Sequence, residues 1–271
     1  GRLYTPDDFA KGNISQGNPD DKYATFRIVL PLEKGVTYGL SGETATYAQQ
    51  VYIDGKLLSE VGKVSDNAEE FVPATDRYTL YFTTQADTAE IIIRHAWFNH
   101  RTGTIQKLCL AKAPLISAND RAQTVCDGLI AGTLLAMAIF FFGMFLLGNR
   151  KRSMMWFSLT CLTAALHYLI YESKQIGVLF PYLDWYTEHK LEYITNILYF
   201  VFILLYAFAA LGLRPHKHFV VTSVCSAGAI LLFYIFAPST VYTHFTVVAG
   251  AVMAVYLILS SVMVGFAVYC A

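Results

Sequence analysis

The stretch GLIAGTLLAMAIFFFGMFLLGN, residues 128–149, contains no Asp, Glu, Lys or Arg, and RKR follows it at residues 150–152. A helix rises about 1.5 Å per residue, so this stretch is long enough to cross the roughly 30 Å hydrocarbon core of a bilayer. A buried helix of a large soluble bundle would keep a polar face, and this stretch has almost none. The sequence therefore predicts a transmembrane helix that begins at Gly128.

Further apolar runs follow this helix, and short polar segments separate them. Pro238 and the polar residues after it divide the last run into two. The predicted spans are 128–149, 153–171, 191–213, 219–236 and 243–270. We therefore expect residues 128–271 to form an all-α transmembrane bundle with five visible spans.

Charge is distributed unevenly on the two sides of Gly128. Residues 1–127 contain 13 Lys and Arg against 16 Asp and Glu, whereas residues 128–271 contain 7 against 4. Neither half is basic enough to indicate nucleic-acid binding. Loops rich in Lys and Arg stay in the cytoplasm, so loops 150–152 and 214–218 are predicted to be cytoplasmic. We therefore expect a multi-pass protein of the cell (inner) membrane with an extracytoplasmic N-terminal domain.

The pattern in residues 24–116 predicts an extracytoplasmic antiparallel β-sandwich of jelly-roll type. Apolar and polar residues alternate from Ala24 to Leu32, which is typical of a half-buried strand. Asp54-Gly55 predicts a type I′ hairpin, because both central residues of that turn need positive φ. Similar strand-like runs lie at 37–40, 44–53, 78–83, 90–97 and 105–110. We expect residues 1–23 to be an extended segment and residues 117–127 to be a short linker.

Both ends of the chain are abrupt. Residues 1–4 lack the apolar region that export of a first domain needs, and Ala271 closes an apolar run without a basic stop. We expect the chain to begin after a removed signal or a cut, and to stop within a longer protein.

The loop after the strand ending at Trp97 is the richest candidate for a ligand site in the first half. Trp97 would stack on a ligand while Asn99 and Arg101 hydrogen-bond it. The alternative is a polar turn with Trp97 in the core, and we favour that alternative. Cys109 and Cys126 lie where a disulfide is chemically allowed, although the sequence does not show that they meet.

Polar residues within the apolar spans form a second candidate site. His189, Glu192 and Asn196 recur at three- and four-residue spacing, which places them on one stripe of a helix. His167 and Glu172, near the outer end of the second span, are predicted to meet this stripe across a helix interface. The cluster is either a pocket or switch whose hydrogen bonds differ between two signalling states, or ordinary interhelical packing. We favour packing.

The strong local motifs for catalysis are absent from the sequence. It contains no glycine-rich phosphate loop, no CxxC pair and no HExxH. We therefore predict no catalytic residues, cofactor or metal site in these residues.

The two halves together resemble a known arrangement. The residues that carry the resemblance are Val51–Leu58 with Val61-Gly62, Phe98–His100, Gly128–Ile130, Met155–Leu159, Leu179–Pro181 with Trp185, and Lys190–Ile194. In this order they resemble the bacterial seven-transmembrane receptors with diverse intracellular signalling modules, over nearly all of residues 24–270. The resemblance implies a sensor with a cytoplasmic output module of the histidine kinase or nucleotide cyclase type. The sequence departs from the family pattern in two ways. It has five predicted spans in place of seven and no output module, and the glycine-rich segment that the family has near Phe98 is reduced to Gly103.

The leading hypothesis is thus a signal-transducing membrane receptor. Its expected partners are the lipid bilayer and an extracytoplasmic small molecule, glycan or protein, with a homodimer as a further option. The alternative is a transporter, or a membrane subunit of a larger complex, with a carbohydrate-binding-like outer domain. Against the transporter, the spans lack paired carboxylates and a broken-helix pattern.

Overall fold

The computed structural model describes residues 22–99, 108–148, 150–212 and 217–270. The chain divides into two compact units, Gly1–Thr124 and Val125–Ala271. The first unit is a β domain and the second is a helical bundle, as the change in composition predicts.

In the described part of the β domain, six antiparallel strands form the sheet. They are β1 (Tyr23–Pro31), β2 (Thr37–Ile53), β3 (Lys56–Val61), β4 (Ala74–Thr83), β5 (Thr88–Ala96) and β6 (Cys109–Lys112). The two runs predicted at 37–40 and 44–53 are a single 17-residue strand, β2. Its first half pairs with β4 and β6, and its second half pairs with β3 and β5. The sheet therefore curls around β2 into a half-barrel, and the predicted antiparallel, β-sandwich-like domain is confirmed.

The Asp54-Gly55 turn joins β2 to β3. Asp54 has φ of 49° and Gly55 has φ of 76°. Both central residues thus adopt the positive φ that the hairpin motif requires, and the predicted turn is confirmed.

The core of the β domain lies on the concave side of the curled sheet. Along β5, Ile91 and Ile93 are buried while Arg94 is exposed, so the strand alternates as its sequence predicts. Phe26 of β1 and Val51 of β2 belong to the same buried cluster. Burial of these side chains is the main stabilising contribution to the sheet.

The helices are α1 (Ala113–Leu147), α2 (Arg152–His167), α3 (Ile176–Leu179), α4 (Trp185–Ala210), α5 (Lys217–Phe236) and α6 (Ser239–Cys270). A π-helical turn, Tyr168–Glu172, extends α2. Five helices in the described part of the chain are long and apolar enough to cross a membrane, namely all but the short α3. The predicted fold class, a β domain followed by five such helices, is confirmed.

All five long helices begin earlier than the predicted spans, and the difference is largest for α1, α4 and α6. Residues 117–127, predicted as a linker, belong to α1, which begins at Ala113 with Pro114 in its first turn, where proline is tolerated. Helix α4 begins at Trp185 instead of residue 191, because Asp184 caps it: its carboxylate accepts a hydrogen bond from the Thr187 N–H (3.1 Å). Helix α6 begins at Ser239, directly after Pro238. Polar residues in the first turns of α4 and α6, and from Ser117 to Asp127 in α1, interrupt the apolar pattern and conceal these starts.

Candidate functional site

The predicted ligand loop of the β domain starts with Trp97. Its indole is half-buried, and its ring centroid lies 5.5 Å from that of His95. Asn99 is half-buried and has an interaction partner, whereas Arg101 lies outside the described residues. Whether these three residues form a ligand site stays a prediction.

His95 is a residue that the sequence analysis missed. It is 1 % exposed and lies near the C-terminal end of β5. Its ring packs between those of Trp97 and Tyr47, and the ring centroids of His95 and Tyr47 are 4.7 Å apart. Neither ring nitrogen has a hydrogen-bond partner among the described residues. Burial lowers the pKa of His95 to about 4, because the interior disfavours the imidazolium. The sequence signal for its burial was its spacing from Ile91 and Ile93, since every second side chain of β5 points into the core.

A second buried polar pair lies on the same inner face. The Tyr78 hydroxyl donates to Oε1 of Gln49 (3.0 Å), and Gln49 is in register with His95 on the neighbouring strand. Burial raises the pKa of Tyr78 above its ordinary value. The end of the β-domain core that contains these residues is therefore polar and uncharged at neutral pH.

In the helical bundle, the structure brings His167 against α4. Nδ1 of His167 and the Thr195 hydroxyl are 3.3 Å apart. That hydroxyl donates its proton to the Leu191 carbonyl (2.8 Å), so it accepts the hydrogen bond from His167. The His167 ring also stacks on Tyr171 of the π-helical turn, with ring centroids 5.7 Å apart. His167 thus contacts α4 through Thr195, a residue outside the predicted stripe, and a contact with the stripe itself stays a prediction.

His189 lies near the N-terminal end of α4. It is 4 % exposed, and its Nδ1 lies 3.3 Å from a carboxylate oxygen of Glu192. Trp185 stacks on one side of the imidazole at 4.8 Å, and Tyr242 of α6 lies at 5.6 Å. Nε2 of His189 and the Tyr242 hydroxyl are both buried and have no hydrogen-bond partner among the described residues. Two polar atoms in neighbouring rings are thus left unpaired.

The remaining predicted residues are placed as follows. Asn196 is half-buried on α4, and the structure gives its amide no hydrogen-bond partner among the described residues. Glu172 lies in the π-helical turn and has an interaction partner. Such turns within α-helices are frequent at functional sites. The polar residues therefore lie in two groups along α4, one where His167 of α2 meets Thr195 and one around His189, and a common site formed by them stays a prediction.

Asp127 is a further residue that was not predicted. It is buried in α1, and its Oδ1 accepts a hydrogen bond from the Tyr168 hydroxyl (2.8 Å). Its position directly before the charge-free stretch was the available signal. A buried acid in an apolar helix needs such a partner, because an unpaired carboxylate would be costly there.

The tyrosines Tyr193, Tyr234 and Tyr242 pack together on α4, α5 and α6. Their ring centroids are 4.8 to 5.6 Å apart. Tyr234 and Tyr242 lie at equal distances in sequence before and after Pro238. This spacing was the available sequence signal that the two rings could meet across the turn. These rings connect three helices close to His189.

In the described part of the chain, no group of three or more His, Cys, Asp or Glu side chains is arranged to hold a metal ion. Cys109 and Cys126 are both free and exposed.

Five apolar helices with buried polar contacts between them, preceded by a β domain, define a multi-pass membrane protein. Residues 123–269, more than half of the 271-residue chain, match the family model described as 7TM diverse intracellular signalling. The chain belongs to this family, and a membrane receptor or signalling role follows from it. No curated protein matches the chain in sequence.

Proposed function

We propose that this protein is a receptor that senses an extracytoplasmic ligand with its β domain and passes the change through the helical bundle. In this proposal loops 150–152 and 214–218 lie in the cytoplasm of a cell whose inner membrane holds the bundle, as their cations favour. An output module of the histidine kinase or nucleotide cyclase type receives the signal there.

The observation that carries the proposal is the polar cluster between the helices. His167 of α2 bonds to Thr195 of α4, while His189 of α4 and Tyr242 of α6 each have one buried polar atom with no partner within the described ranges. An unpaired buried polar atom costs about 1–3 kcal/mol, whereas one interhelical hydrogen bond contributes about 0.6 kcal/mol. Each of these contributions is at most a few kcal/mol, so a second arrangement that pairs these atoms and breaks the first bond would lie within a few kcal/mol of the first. A ligand that binds one arrangement better than the other can shift a two-state equilibrium across a gap of this size.

Helix α1 is the proposed route from the β domain. Ile116 in its first turn is 2 % exposed and packs over Gly39 of β2. One turn later, Asp120 accepts a hydrogen bond from the Thr79 hydroxyl of β4 (2.7 Å). Further along the same helix, Asp127 bonds to Tyr168. A ligand that changes the β domain would thus act on a helix that also contributes to the polar cluster.

Replacing Thr195 by Val tests the switch. The variant keeps the shape of the side chain and removes the acceptor of His167, so the ratio of signalling states should shift about threefold, as expected for about 0.6 kcal/mol. The measurement is the basal and stimulated output of the full-length receptor in cells, at matched membrane levels.

Thr160→Val is the matched control. Its hydroxyl is also buried in the bundle but bonds only to the Trp156 carbonyl of its own helix (2.8 Å), so output should not change. Equal output from the Thr195 variant and wild type would mean that the cluster is packing alone.

A further inference from the structure

A polar pocket of about 340 Å³ opens on the outer face of the β domain. Among the described residues it is lined by Tyr23, Val64, Ser65, Asp66 and Arg94. Its size lies at the lower end of the range for small-molecule sites. The pocket thus has room for a metabolite of a few to a dozen heavy atoms.

Arg94 forms one wall, and its surroundings orient it. It points outward from β5, between Thr25 of β1 and Gln50 of β2 in register. Interactions with the hydroxyls of Tyr52 and Tyr23 raise the pKa of Arg94, so the guanidinium is held beside two phenols. The Tyr52 hydroxyl donates in turn to Oε1 of Gln50 (3.1 Å). A guanidinium fixed in this way leaves part of its fork of N–H donors for a ligand.

Asp66 and Ser65 line the same pocket. The Ser65 oxygen accepts from the Asn67 N–H (3.0 Å), so its own O–H remains a donor. Among the described residues, no ion pair involves Asp66 or Arg94, although nearby charges such as Lys63 and Glu70 are paired (3.4 Å). The pocket therefore presents one cation and one carboxylate, and neither has an ionic partner in the part of the chain that the structure describes.

We propose that this pocket binds a small zwitterion of the α-amino-acid class, with the ligand carboxylate on Arg94 and its ammonium on Asp66. A guanidinium takes a carboxylate through two parallel hydrogen bonds, and a carboxylate of the protein accepts from an ammonium. A simple anion would be repelled by the Asp66 carboxylate. A neutral polyol would leave both Arg94 and Asp66 without a counter-charge. The proposal deepens the receptor function and rests on it for its meaning, because it names the class of ligand that the β domain senses.

The test is direct binding to the full chain in lipid nanodiscs. The probes are individual free L-amino acids at about 10 mM, a concentration that detects even millimolar affinity. We expect at least one of them to raise the midpoint of thermal unfolding. Its α-amide and its N-acetyl derivative, which each lack one of the two charges, should not raise it at the same concentration.

The variants Arg94→Lys and Asp66→Asn identify the site. Loss of a charged hydrogen bond should weaken the affinity at least about tenfold in each, measured by calorimetric titration. Arg27→Lys is the matched control, since Arg27 lies on the same face of the sheet, pairs with Glu90 and does not line the pocket. Unfolding midpoints without ligand should equal that of wild type, which shows that the variants fold.

Three results would overturn the inference: no amino acid binds, the blocked derivatives bind as well as the free amino acid, or the pocket variants bind like wild type. Binding of a panel of neutral sugars in place of amino acids would overturn it too. Because binding is read without signalling output, these failures are separate from a failure of the receptor proposal, which the Thr195→Val variant tests.

Discussion

At the scale of single residues, His95 makes the β domain sensitive to acid. Its neutral ring is buried against Tyr47 and Trp97, and its pKa is about 4, compared with about 6.5 in an unfolded chain. The unfolded chain therefore binds more protons between these two values. Because the folded pKa is the lower one, the contribution of His95 to stability is complete above about pH 6.5 and is lost as the pH falls toward 4.

Replacing His95 by Phe should remove this dependence on pH. Wild type should lose roughly 2 kcal/mol of local stability between pH 7.5 and pH 5, and the variant should lose much less, because Phe keeps the aromatic packing without a titrating group. Hydrogen exchange of the β5 amides, corrected for intrinsic rates, measures the difference. In the control His218→Phe, which changes an exposed histidine of α5, the wild-type dependence should remain. A His95 variant as sensitive to acid as wild type would assign the effect to other groups.

At the scale of elements, the first turn of α1 depends on a glycine. A Cβ added at Gly39 would lie 2.8 Å from Cβ of Ile116, which is closer than carbon atoms pack. Glycine at this position of β2 therefore lets the helix approach the strand.

Gly39→Ala should displace the start of α1, at a cost of about 1–3 kcal/mol as for other overpacked sites. The amides at the start of α1 should then exchange at least about tenfold faster than in wild type. Gly128→Ala is the control on the same helix, since an added Cβ there meets no atom within 4 Å. Unchanged protection in the Gly39 variant would mean that Ile116 repacks without strain.

The elements also show how far the sequence predicts the structure. Long apolar runs and the Asp54-Gly55 turn gave the five helices and the hairpin, because each depends on local composition. The sequence did not predict that 37–40 and 44–53 form one strand, because polar residues at 41–44 interrupt the apolar pattern. Backbone pairing with β4 and β6 continues β2 across this polar segment. The contact of His167 with Thr195 depends on how α2 and α4 pack against each other, and the spacing of residues along one helix does not reveal this packing.

At the scale of the whole molecule, the proposed orientation in the membrane is open to a labelling test. In a cysteine-free background, Asn67→Cys in the β domain should react with a membrane-impermeant maleimide on intact spheroplasts. Lys151→Cys, in the loop between α1 and α2, should react only after the cells are opened, because cationic loops stay inside. Both positions are exposed, so access to the reagent depends on the side of the membrane alone. Reaction of Lys151→Cys in intact cells would reverse the orientation.

The long strand β2 has a consequence for misfolding. It pairs with β4 and β6 along its first half and with β3 and β5 along its second, so four strands lose a neighbour when it detaches. Freed strand edges pair readily with those of other molecules. A domain built in this way is protected from edge-to-edge pairing only once β2 is in place, and a destabilising substitution in β2 would turn partial unfolding into aggregation.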